Sequence, residues 1–89
     1  MTEPTKKQLD DVEEYAELQF LPDEIADLAG IDAELFDTDK AVRKAFDIGR
    51  LKAEAVVRNA LLTLAKQGSS PAQKQFLELA DKLREAITE

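Results

Sequence analysis

The sequence predicts an all-α protein, with a short N-terminal helix-turn-helix-like bundle followed by a long antiparallel helical hairpin. Three observations predict it. From Lys40 to Gln67 there is no proline and only one glycine, and apolar residues recur at spacings of three and four. Gly68-Ser69-Ser70-Pro71 then supplies a helix stop followed by a helix start. Ahead of Lys40, short apolar-periodic stretches are punctuated by Pro22 and Gly30.

Each element follows from local chemistry. Residues 1–6 read as a frayed tail. A first helix is expected from Lys7 to Leu18, with Leu9, Val12, Ala16 and Tyr15 toward one face and acids over the rest. Leu21-Pro22-Asp23-Glu24 restarts the chain, because proline and acids suit the first helical turn. Ile25, Ala26, Leu28 and Ala29 make a short second helix that Gly30 stops. A third segment starts at Asp32 as N-cap, holds Leu35 and Phe36, and ends near Asp37.

Thr38 or Asp39 caps the fourth helix. Its first stripe is Val42, Phe46, Gly49, Ala53, Val56, Ala60 and Leu64, and its second is Ile48, Leu51, Ala55 and Leu62. So wide an apolar band calls for more than one packing partner. Ser70 is read as the cap of the fifth helix and Pro71 as its first residue. That helix carries Ala72, Phe76, Leu79, Ala80, Leu83 and Ile87 on one face, with Leu77 off it. A link this short makes the two helices antiparallel. The chain therefore divides into residues 1–38, helix-turn-helix-like, and residues 39–89, the hairpin.

Composition limits the chemistry. Eighty-nine residues make one domain, or a small domain with an appended element, and bury a modest core. With no cysteine, disulfides are unavailable, which suits a reducing compartment. The absence of both cysteine and histidine removes the common zinc sites and the Ser-His and Cys-His pairs. No apolar run approaches the ~20 residues that span a bilayer. Met1-Thr2-Glu3-Pro4 does not open a secretory signal, so a cytosolic, non-membrane protein is expected.

Charge is unevenly distributed. Residues 1–39 hold two lysines and thirteen acids, a net of −11, whereas residues 40–58 hold six cations and two acids, a net of +4. Residues 59–89 carry four of each sign, which brings the whole chain to −7. Overall acidity opposes non-specific DNA binding by a monomer.

Four constellations carry a possible function. Ile25-Ala26, Gly30-Ile31 and Phe36 have the arrangement of a helix-turn-helix, and equally that of an ordinary three-helix core. The cations Lys40, Arg43, Lys44, Arg50 and Lys52 make a candidate phosphate-contacting face or a solvated one. The acids of the first helix have no opposing base and read as a solvated face, not as a magnesium or acid-base site. No enzyme signature, metal site or cofactor site is expected. Last, the hairpin has more apolar surface than two facing helices use. Either the N-terminal helices cover it, or copies associate through it, and the small core favours association.

Taken in order, these residues resemble the small terminase subunit of tailed bacteriophages and prophages. The resemblance runs through Tyr15-Ala16-Glu17-Leu18 and then Asp23 to Ile31, where the family has its helix-turn-helix. It continues through Ala45 to Ala55, Leu61 to Gln73, and Phe76-Leu77. It covers roughly residues 9–84, and its specificity lies in the order of the pieces.

The resemblance implies a non-enzymatic factor in the cytoplasm of a bacterial host. Such a factor binds double-stranded DNA near the packaging start and forms a homo-oligomeric ring through the hairpin. It presents DNA to the large terminase subunit. Assembly would fall to Phe46, Leu51, Val56, Leu62, Phe76, Leu79 and Leu83. Phosphate contacts would fall to Lys40, Arg43, Lys44, Arg50 and Lys52. Where the family's recognition helix is basic and polar, this chain has Asp32 to Asp39 with four carboxylates, which repel phosphate. It also lacks a long C-terminal tail for docking the large subunit. The competing readings are a dimeric helix-turn-helix regulator and an acidic structural or adaptor protein without nucleic-acid binding.

Overall fold

The structure, a computed structural model, describes residues 3–88. It is all-helical: the described residues form α1 (Lys6–Glu17), α2 (Pro22–Ala29), α3 (Leu35–Thr38), α4 (Lys40–Lys66) and α5 (Ser70–Thr88), with no strand among them. Among the described residues no helix is long and apolar enough to cross a membrane.

The start of α1 is sharper than a frayed tail. The Thr5 hydroxyl accepts the Gln8 amide N–H at 3.1 Å, and the Gln8 side chain accepts the Thr5 N–H at 2.9 Å. This reciprocal pair satisfies two of the unpaired donors at a helix start. Residues 1 and 2 of the expected tail lie outside the described residues.

At its other end α1 has no glycine, yet the chain turns left-handed at Gln19, with φ 72°. Phe20 N–H donates back to the Tyr15 carbonyl at 3.2 Å across this turn. α2 opens as its sequence indicates. Pro22 stands in the first turn, and the Glu24 carboxylate accepts the Leu21 N–H at 2.9 Å.

Gly30 closes α2 at φ 73°, with its N–H and that of Ile31 both donating to the Ala26 carbonyl. A Cβ placed on Gly30 would meet nothing within 4 Å, so the requirement there is conformational, not steric. Gly30→Ala is therefore expected to cost about 1 kcal/mol. Urea denaturation checks this, and an unchanged midpoint would contradict it.

The third segment is a single turn. Asp32 accepts the Glu34 N–H at 2.9 Å in a side-chain turn, and only Leu35–Thr38 are helical. Of the two candidate caps for α4, Asp39 is used, its carboxylate accepting the N–H groups of Ala41 and Val42.

The chain divides into two compact units, Met1–Glu54 and Ala55–Glu89, and the division between them falls inside α4. The reason is packing. The first turns of α4 contribute Val42 and Ala45 to one core with Val12, Ala16, Ile25, Ala26, Ala29, Leu35 and Phe36. Gly49 is also buried, and a Cβ there would lie 2.2 Å from the Glu13 carbonyl oxygen.

In the second unit, α4 ends at the expected turn. Gly68 has φ 94°, and Ser69 N–H reaches back to the Leu64 carbonyl at 3.1 Å. The cap of α5 differs from the expected one. Ser69, not Ser70, offers its hydroxyl to the Ala72 N–H, at 3.4 Å, which leaves Ser70 first in the helix and Pro71 second. Proline tolerates this because a first-turn N–H has no intrahelical partner. The Gln73 side chain donates to the Ala65 carbonyl at 3.0 Å and ties the start of α5 to the end of α4.

Candidate nucleic-acid interface and apolar surface

The five candidate phosphate-contacting cations fall into two groups. Lys40, Arg43 and Lys44 stand exposed on the first turns of α4. They line an open depression with Asp37, Thr38, Asp39, Asp47 and Ile48. Three carboxylates thus share the depression with three cations. Asp39 is engaged in capping, and Asp47 pairs with Arg43 at 3.3 Å. The pair is exposed on both sides, so its contribution is small and it releases Arg43 readily to a stronger anion.

Arg50 and Lys52 contact other parts of the first unit instead, Lys52 while remaining exposed. The Arg50 guanidinium donates to the Gln19 side-chain oxygen at 2.6 Å and to the Phe20 carbonyl at 2.7 Å, and lies 5.0 Å from the centroid of the Phe46 ring. It therefore braces the left-handed turn between α1 and α2. Lys52 pairs with Glu13 at 2.5 Å. The hydrogen bond and charge of Glu13 raise the lysine pKa above its ordinary value against desolvation, with a lesser contribution from Glu17, so Lys52 is charged at neutral pH. Sequence periodicity has no signal for either contact. Glu13 and Lys52 are 39 residues apart, and Gln19 lacks the glycine that marks a left-handed turn.

The candidate assembly residues divide as well. Phe46 is half-buried against the N-terminal core and meets Phe36 edge-on at a ring separation of 5.6 Å. It belongs to the first unit's interior. Leu51 is exposed on α4 within that same unit. In the second unit Leu62, Phe76 and Leu79 are half-buried, and Val56 and Leu83 are exposed.

Ala72 is that unit's buried apolar residue, while Val56, Val57, Leu64, Leu77, Leu83 and Ile87 remain exposed, Val56 at 68% and Ile87 at 84%. The α4 stripe of Val42, Phe46 and Gly49 is thus covered, while its continuation through Val56, Ala60 and Leu64 faces solvent. Extended exposed apolar surface of this kind marks an interaction site more often than a free surface.

No protein-family model, curated protein or solved structure matches the chain.

Proposed function

We propose that this chain is a DNA-recognition and packaging-initiation factor of the small-terminase type, working in the cytoplasm of a bacterial host. In this reading copies associate through the second unit, with α5 folded back antiparallel on the end of α4. The first unit, a compressed helix-turn-helix, faces double-stranded DNA, which the oligomer presents to the large terminase subunit. The chain has no catalytic role of its own.

The observation that carries the reading is the unfinished core of residues 55–89. Among the described residues of this unit six large apolar side chains are exposed and one alanine is buried. A second copy offers the same surface and completes the core of both.

Lys40, Arg43 and Lys44 take the phosphate contacts, since Arg50 and Lys52 already serve the fold. The four-residue α3 is about 6 Å long, too short to lie along a major groove, and it is acidic. Base readout by α3 is therefore no part of the proposal, which also weighs against a dimeric operator-binding regulator. Several weak phosphate faces on one oligomer reinforce each other when they engage the same duplex.

Light scattering tests the assembly. Micromolar protein is expected to exceed the 9.9 kDa monomer mass several-fold, and Val56→Asp combined with Leu64→Asp should return it to the monomer. In salt titrations with duplex DNA, Lys40→Glu and Lys44→Glu should each lower the salt slope by about one unit. A wild-type protein that stays monomeric, or that binds no DNA at low salt, would overturn the reading.

A further inference from the structure

One surface of the first unit has no part in that reading. α2 buries Ile25, Ala26 and Ala29, yet on the flank of that face Leu21 and Leu28 are 61% and 51% exposed. Leu21 is the extended N-cap residue of α2 and Leu28 stands in its last turn, about 10 Å further along the helix. Leu18, 62% exposed at the end of α1, is three residues from Leu21, so their Cα atoms are at most ~11 Å apart. Three large exposed apolar side chains thus flank the α1–α2 turn and α2, more than the single scattered ones ordinary for a surface.

The chain around them is acidic, although a cation from α4, Arg50, reaches the turn between Leu18 and Leu21 and is held there by Gln19 and Phe20. Between residues 8 and 39 there is no lysine or arginine and there are twelve acids. Glu14, Glu17, Asp23, Glu24 and Asp27 are exposed beside the leucines, with Glu24 and Asp27 on the solvent side of the same helix.

We infer that this corner docks a basic amphipathic helix of another protein, its apolar side chains on Leu18, Leu21 and Leu28 and its lysines or arginines among the flanking acids. Charge selects the occupant. Nucleic acid and anionic lipid are repelled by the carboxylates, and two copies meeting symmetrically here would set acid against acid. Geometry selects a helix, because the flank of a helix offers a strand no free backbone to pair with, and leucines two turns apart match a partner's i, i+7 spacing. The inference does not depend on the terminase reading, since Leu18, Leu21 and Leu28 are not among the residues that reading uses for phosphate contact or assembly.

The test is a titration of the full chain with a labelled synthetic helical peptide of leucine and lysine, its leucines on one face. A peptide of the same composition with scattered leucines is the control. Amide shifts at Leu18, Leu21 and Leu28 are expected, with affinity that falls as salt rises. The double variant Leu21→Ser and Leu28→Ser should weaken binding about tenfold or more while keeping the fold, because serine is itself a favoured N-cap at position 21. Glu17→Lys with Asp27→Lys should weaken it similarly.

Equal binding by the scattered peptide, equal binding by the serine variant, or shifts confined to residues 55–88 would each overturn the inference. A drop in the mass of the protein alone when the leucines are replaced would assign the corner to a second copy and overturn it too. Because that mass is read independently, failure here is distinguishable from failure of the proposed assembly.

Discussion

Gly49→Ala is expected to destabilise the first unit by about 1–3 kcal/mol, against the usual preference of a helix for alanine. In a free helix the substitution would stabilise by roughly 0.5–1 kcal/mol. Here the new methyl would lie 2.2 Å from the Glu13 carbonyl oxygen and 2.7 Å from the Ala16 side chain. The nearest neighbour is backbone, which has no rotamer to yield. α1 and α4 must therefore separate, and Val12, Ala16 and Val42, all fully buried, lose contact as they do. For a domain of this size each kilocalorie is worth about 4–8 °C in melting temperature. Circular dichroism melts read the effect, and a melting temperature at or above the wild-type value would mean that the close approach of α1 and α4 carries no energetic weight.

Arg50→Ala is expected to cost about 1.5–3 kcal/mol, the range for hydrogen bonds made by a charged group. Two acceptors lose their donor at once, Gln19 and the Phe20 carbonyl, and the Phe46 ring loses the cation beside it. The loss falls where the backbone is least comfortable. Gln19 holds a left-handed conformation without being glycine, and such positions persist only when their surroundings fix them. Arg50→Lys should recover little, since a single ammonium on a flexible stem does not reproduce the planar fork. Guanidinium denaturation combined with DNA titration separates two roles for this residue. Lower stability with unchanged DNA affinity in the folded protein fits the bracing role, whereas intact stability with weakened DNA binding would return Arg50 to the phosphate face.

Phe46 and Leu64 show how far a sequence stripe can be read. Both sit on one helical face by spacing, and periodicity treats them alike. The structure covers the first with Phe36 and leaves the second in solvent. Nothing local distinguishes them, because coverage depends on how far α1, α2 and α3 reach along α4. The same cause places the division between compact units inside a helix that is continuous in sequence and in backbone. Lys44 and Lys52 are a parallel case among the cations: both are exposed, but one lines a mixed-charge depression and the other is paired with a carboxylate 39 residues away.

By itself the sequence determined the features whose physics is local. The all-helical class, the long α4, the left-handed stops at Gly30 and Gly68, the proline in the first turn of α2 and a cap for α4 at Thr38 or Asp39 all follow from propensity, periodicity and end chemistry within a few residues. Tertiary structure decided what depends on residues distant in the chain. It turned the chain left-handed at Gln19, tied Arg50 and Lys52 into the first unit, and divided one apolar stripe into a covered part and an exposed part. Burial and pairing are properties of approach, and approach is set by the packing of whole helices, not by the order of the residues along one of them.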